Sequence, residues 1–149
     1  MKELHLIAHN IRSIENVGSL FRICDSLGVV KLWLTGYTAA PPDARISKVA
    51  LGAERSVTFE HRTDVLEVMT ELTEDGVHVF ALENVEISEN LENFSAPNRM
   101  ALLLGTETTG IPASLIERCE GAVKITQRGQ KESLNVSVAA GIACWAILR

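Results

Sequence analysis

Hydrophobic positions along this chain alternate between two spacings, and each change of spacing marks a new element. "LHLIAH" (4–9) is a β-rich run. "SIENVGSLFRICDSLGV" (13–29) sets Ile14, Val17, Phe21, Cys24 and Leu27 at helical spacing and closes at Gly28, which predicts a helix. "VVKLWLTG" (29–36) reads as a largely buried strand, and "TAAPPDA" (38–44) reads as a loop by its Pro-Pro and Asp content. A short helix is expected over 45–52 and a short strand over "SVTFEH" (56–61). "TDVLEVMTELTEDG" (63–76) is an amphipathic helix, with Thr63 as its expected cap and Gly76 as its stop. "VHVFALEN" (77–84) and "RMALLLGTE" (99–107) are near-continuous apolar runs between polar loops, the pattern of strands covered on both faces. Pro112 opens a helix to about Arg118, "GAVKIT" (121–126) is a further strand, and "SLNVSVAAGIACWAIL" (133–148) forms the last helix.

Strands and helices that alternate in this way, with the strands buried, predict a three-layer α/β fold on a mostly parallel sheet. Ligands of such folds sit at the carboxyl ends of strands. Three polar loops occupy that position: "LENVEISEN" (82–90), "GTETTGIP" (105–112) and "TQRGQKES" (126–133). They are expected to converge on one pocket.

The last helix carries no charge over sixteen positions, yet it opens with Ser133, Asn135 and Ser137. It is shorter than the ~20 apolar residues a membrane span needs, so something else must cover it. A second copy of the chain, in a symmetric homodimer, is the expected cover; deep burial within a monomer is the competing reading. Ser133 is the natural N-cap of this helix. Asn135 and Ser137 are expected inside it, facing a ligand or the polar end of the pocket, unless they are satisfied by core hydrogen bonds.

With 149 residues and no Pro/Gly/Ser-rich linker, the chain reads as one domain, 1–149. Its start, "MKELHLIAHN", does not resemble a signal peptide, and the expected location is the cytoplasm. Cys24, Cys119 and Cys144 have no metal-ligand or C-x-x-C spacing and are expected to be structural. The net charge of −5 argues against a polyanionic partner until its distribution is considered. Residues 63–94 hold nine acids and no Lys or Arg, whereas residues 1–62 hold eight Lys/Arg against six acids and residues 95–149 hold six against four. The molecule outside the acidic segment is thus free to present a basic face to phosphates. No phosphate-binding glycine motif, histidine metal spacing or hydrolase triad is present.

Three segments together, "NVGSLFR" (16–22), "LLLGTETTGIP" (102–112) and "ITQRGQKESLNVSVAAG" (125–141), resemble in order and spacing the three motifs of the SpoU/TrmH branch of the SPOUT superfamily of RNA 2′-O-ribose methyltransferases. The resemblance spans nearly the whole chain. It implies an α/β domain whose C-terminal part is threaded into a deep trefoil knot, S-adenosylmethionine bound in the knot loops, and an active site assembled at a homodimer interface. It also implies Asn16, Arg22, Glu107, Ser133 and Asn135 as catalytic residues. Leu82, Leu104, Gly105, Gly110, Ile125, Leu134 and Asn135 are the implied cofactor residues, with no metal.

The chemistry such an enzyme performs needs an oriented in-line attack and help in removing the ribose proton. Arg22 stays charged, so its expected work is to clamp a phosphate beside the attacked ribose rather than to act as a base. Arg12, Arg22, Arg45, Lys48, Arg55, Arg128 and Lys131 are the expected RNA contacts, and transfer RNA is favoured over ribosomal RNA as substrate. Two departures from the family pattern stand out. Thr126 and Gln127 replace an often-seen Pro and Met, and the chain stops soon after the third motif. The first makes a non-catalytic RNA-binding protein of the same fold the main rival reading.

Overall fold

A computed structural model describes all residues, Met1–Arg149. Seven strands form a single sheet: β1 (Glu3–His9), β2 (Lys31–Thr35), β3 (Phe59–Arg62), β4 (His78–Leu82), β5 (Glu89–Asn90), β6 (Arg99–Leu104) and β7 (Gly121–Lys124). Their spatial order is β3-β2-β1-β6-β4-β7-β5, and every neighbouring pair is parallel. Five helices connect them: α1 (Ile14–Leu27), α2 (Ala44–Ala50), α3 (Val65–Glu74), α4 (Ala113–Ile116) and α5 (Val136–Leu148). Short 3-10 turns lie at Ala53–Arg55 and Leu91–Asn93.

Two hydrophobic clusters, one on each face of the sheet, establish the expected three layers. Leu4, Leu6 and Ala8 of β1 turn to one face, where they meet Leu20, Phe21 and Cys24 of α1, Ile46 of α2 and Ala140, Ala143 and Ile147 of α5. Ile7 turns to the other, with Val68, Met69 and Leu72 of α3 and Leu115 of α4. This is the period-two consequence of a strand buried on both sides. Even the polar His5 is buried in β1, where its Nδ1 accepts from Trp33 Nε1 at 3.3 Å; burial holds its pKa below the ordinary value.

The first helix follows its sequence signals closely. Ser13 caps α1 by accepting from the Asn16 N–H, and Gly28 ends it in the left-handed region at φ 73°. Gly18 meets α2 at close quarters: a Cβ there would lie 2.5 Å from Val49 Cβ. Helix caps elsewhere correct the expectation. Asp64, not Thr63, caps α3, its carboxylate accepting from the Leu66 N–H. Asn135, not Ser133, caps α5, accepting from the N–H groups of Ser137 and Val138. A carboxylate or carboxamide in the cap position outcompeted a neighbouring hydroxyl in both places. The helix after Pro112 is also shorter than expected, ending at Ile116.

Within α5, Ser137, Ala140, Ala143, Cys144 and Ile147 are buried, while Val138, Ile142 and Trp145 are 49%, 41% and 58% exposed. The last three share one face at helical spacing. Complete burial of this helix within one chain is therefore ruled out. No helix is long and apolar enough to cross a membrane. Cys24 and Cys144 are buried and Cys119 is half-buried; desolvation pushes the Cys144 thiol up to about 12 and the Cys119 thiol up to about 11, leaving both unreactive.

Because the α1–α2 crossing has no room for a side chain at Gly18, Gly18→Ala should lower stability by about 1–3 kcal/mol, read as a reduced denaturation midpoint with an unchanged denaturant slope.

Candidate active site

The strand order reverses direction about β1 and β6: β2 and β3 lie to one side, and β4, β7 and β5 to the other. The carboxyl ends of β1 and β6 therefore flank the switch point, where open α/β sheets hold ligands. The loop after β1 leads directly into α1, and the loop after β6 carries Glu107.

Glu107 ties these two loops together. The Arg12 N–H donates to its Oε1 at 3.0 Å, and the Ser13 N–H and Asn16 Nδ2 each donate to its Oε2 at 2.9 Å. Asn16 is buried, and its Oδ1 accepts from Asn135 Nδ2 at 3.1 Å. The relay continues through Asn135 Oδ1, which accepts from Ser137 N–H at 2.9 Å and Ser137 Oγ at 2.7 Å. Partial burial alone would raise the Glu107 pKa, but the N–H donors of Arg12 and Ser13 and the Asn16 carboxamide hold it below the ordinary carboxylate value. Desolvation is the largest single contribution, but the three charge-assisted hydrogen bonds together outweigh it.

A second carboxylate, Glu83, was not singled out in the sequence. Its Oε2 accepts from the Ile111 N–H at 2.9 Å and its Oε1 from the Asn84 N–H at 3.1 Å, so the loop after β4 is fastened to the loop after β6. An acid placed directly after a buried apolar run is the signal that could have found it. The third polar loop touches the first segment through Thr126 Oγ1, which donates to Glu92 Oε2 at 3.0 Å. Of the three loops expected to converge, 82–90 and 105–112 are bonded directly, whereas 126–133 is tied only to the 3-10 turn Leu91–Asn93 that follows the first.

Other sequence-predicted residues divide clearly. Leu104 is buried, Leu82 and Ile125 are half-buried, and Leu134 is 40% exposed. Gly105 has no room for a side chain, since a Cβ would lie 2.5 Å from Ile111 Cγ1. Gly110 adopts φ 71°, and a Cβ there would lie 2.3 Å from Glu83 Oε2. Ser133 is exposed and outside α5, and takes no part in the relay. Nor does Arg22: it follows Asn16 by six residues, about 9 Å along the helix axis and a third of a turn around it. It is exposed and belongs to no ion pair. Asn135 and Ser137, expected inside the last helix, are its cap and its first buried turn.

A model of the SpoU rRNA Methylase family matches residues 3–145, and the chain belongs to that family. Among sequence relatives, the 23S rRNA (guanosine-2'-O-)-methyltransferase RlmB of Vibrio vulnificus is 30% identical over 146 residues, covering 98% of this chain and 59% of the relative. The tRNA (guanosine(18)-2'-O)-methyltransferase TARBP1 of Mus musculus is 29% identical over 151 residues, covering 100% of this chain and 10% of the relative. The chain therefore spans only part of the length of these curated relatives. The SpoU methyltransferase AviRb from Streptomyces viridochromogenes, solved with the cofactor AdoMet, superposes with a TM-score of 0.89 at 23% identity, covering 99% of this chain and 57% of that one. A structure described as "Structural insights into the 2-OH methylation of C/U34 on tRNA" matches with a TM-score of 0.85 at 25% identity, covering 98% of this chain and 94% of that one. The parallel α/β fold is that of the SpoU methyltransferases.

The depressed Glu107 pKa fixes a pH dependence. Its folded value lies below its unfolded one, so its bonds stabilise the fold fully above the ordinary carboxylate range and are lost as pH falls through the depressed value. Glu107→Gln should accordingly be less stable than the parent near neutral pH, with the gap closing in acid. A gap that stays constant with pH would rule out the ionised carboxylate as its cause.

Proposed function

We propose that this chain is an S-adenosylmethionine-dependent RNA 2′-O-ribose methyltransferase that works as a homodimer on transfer RNA. The observation that carries the reading is the Glu107–Asn16–Asn135 relay, which links one residue from each of the three sequence motifs at the switch point. Family membership supplies the chemistry that such a site serves.

The residues present fit the cofactor. Leu104, with Leu82 and Ile125 at the margin, offers apolar walls for an adenosyl group, and the loops at Gly105 and Gly110 keep backbone groups close by. Leu134 and Asn135 stand where the third motif enters α5. When bound, S-adenosylmethionine supplies a methyl group already activated by its sulfonium. The chain itself then orients the ribose. Glu107 has both oxygens committed to Arg12, Ser13 and Asn16, which makes it an organiser of the loop rather than a base. Asn16 and Asn135 hold one another's carboxamides in fixed orientation, and Ser133 lies open for the substrate.

Arg22 completes the site from the other subunit in this reading. The open stripe Val138, Ile142 and Trp145 supports a twofold interface along α5, and α1 packs beside α5 with Ile23 against Gly141. Arg22, exposed on α1, is the residue proposed to serve the partner's site, its guanidinium clamping a phosphate next to the attacked ribose. The trefoil knot belongs to the same proposal. Insertion of β6 between β1 and β4, with the chain later returning from β7 to place α5 against α1, supports it.

Six of the seven basic residues proposed to meet RNA form no ion pair, Arg45 alone being held by Asp43. The preference for tRNA is supported by the match that covers 94% of a chain described with tRNA methylation. Ribosomal RNA is the alternative, favoured by the sequence relatives named for 23S rRNA.

Calorimetric titration with S-adenosylmethionine should give a measurable binding heat, and incubation with tRNA from a strain lacking the gene should yield a 2′-O-methylnucleoside by mass analysis. A base-methylated product overturns the assignment; failure to bind cofactor at millimolar concentration favours a non-catalytic RNA-binding role. Trp145→Asp should convert the dimer to monomer by light scattering and lose transfer activity with it. Arg22→Lys should lower turnover substantially, because a point charge does not replace a two-edged fork.

A further inference from the structure

Glu54, in the 3-10 turn after α2, has both carboxylate oxygens sealed from solvent and accepting no hydrogen bond. Buried polar atoms in folded proteins are nearly always satisfied, and an unpaired buried carboxylate is one of the costlier features a fold can carry. No step of the reaction described above uses it.

The packing of α1 on this segment points to a donor. Gly18 of α1 meets Val49 and Ala50, and two turns later Asp25 Oδ1 accepts from Ser56 Oγ at 2.7 Å. Residues 18, 22 and 25 lie along one side of a helix. The two contacts thus frame Arg22 on α1 and residues 51–55 opposite it, with Glu54 among them. Arg55, the adjacent cation, is folded back against Gly52, its Nη2 3.0 Å from where a Cβ would stand. Arg22 is exposed and engaged by no acid, so its guanidinium is uncommitted on the side of α1 that faces this segment.

We propose that Glu54 is a positioning residue for Arg22, taking one edge of its guanidinium and leaving the other edge to face the substrate phosphate. A planar, forked cation has two donor edges, and fixing one sets the direction of the other. The inference rests on the reading of Arg22 as a phosphate clamp. It adds the reason a long, mobile side chain arrives in a single orientation, which is what an in-line attack demands.

Two measurements test it. The first is the side-chain Nε–H resonance of Arg22 by NMR, assigned through Arg22→Lys, in the free protein and with tRNA. Glu54→Gln should shift this resonance; an unchanged signal in both states overturns the pairing. The second is a kinetic cycle with saturating tRNA and cofactor. Glu54→Gln should lower kcat roughly 10- to 100-fold with little change in KM for RNA or in cofactor binding, and Glu54→Asp should recover part of the loss. In an Arg22→Ala background the same Glu54→Gln change should cost nothing more. Equal losses in both backgrounds indicate a structural role and overturn the proposal. Replacing an unpaired buried carboxylate by a neutral side chain preserves the fold, as a thermal melt verifies, and Glu54→Met provides the same comparison if the Gln variant does not fold. If the parent protein transfers no methyl group, the methyltransferase reading fails on its own, while the Arg22 resonance still decides whether the pair exists.

Discussion

The arrangement of the candidate site depends on where one carboxylate spends its hydrogen-bonding capacity. Glu107 stands on the loop after the central strand β6, and all of its bonds reach across to the start of α1. The N–H groups it accepts from lie at the helix entrance, where backbone donors have no partner of their own and where negative charge is favoured by the helix dipole. A requirement of α1 and a requirement of the β6 loop are thereby met by the same contact. Asn16, fixed from one side by Glu107, is then able to present its oxygen to Asn135, the cap of the last helix. Three segments far apart in sequence acquire a common geometry through side chains that also terminate helices.

Much of this was legible in the chain. Helical spacing marked α1 and α3, and apolar runs bounded by polar segments marked β1, β2, β4 and β6. The near-continuous apolar runs at 77–84 and 99–107 gave away a sheet covered on both faces. Caps were less legible: Thr63 and Asp64, or Ser133 and Asn135, are all acceptable cap residues, and the choice depends on backbone angles that sequence does not report. The two-residue strand β5 was invisible for a different reason. Its pairing with β7 is made by backbone groups alone, inside an acidic loop with no alternation to betray it.

Of the site, Asn16, Glu107 and Asn135 were named from motif resemblance, and the structure brings them together. Glu83 escaped notice because its partner is a backbone N–H on another loop, a relationship only the fold creates. The separation of Arg22 from this group follows from helix geometry, since six residues never return a side chain to the same face. Charge segregation has a comparable structural expression. The acids from Asp64 to Asp75 belong to α3 and its ends, on the sheet face opposite α1, α2 and α5, so the proposed RNA-facing cations Arg22, Arg45 and Lys48 sit on a different layer from that acidic helix.

The position of β6 has a consequence for how the molecule is made. This strand is sixth in the chain but central in the sheet, hydrogen-bonded to β1 on one side and β4 on the other. During synthesis, β1 through β3 can pair as soon as they emerge, whereas β4 has no neighbour until residue 99 and beyond have been made. For that interval β1 exposes one unpaired edge and β4 both of its edges, the condition under which partly folded chains associate wrongly. Assembly of the site is consequently among the last events in maturation, because it waits for the strand that joins the two halves.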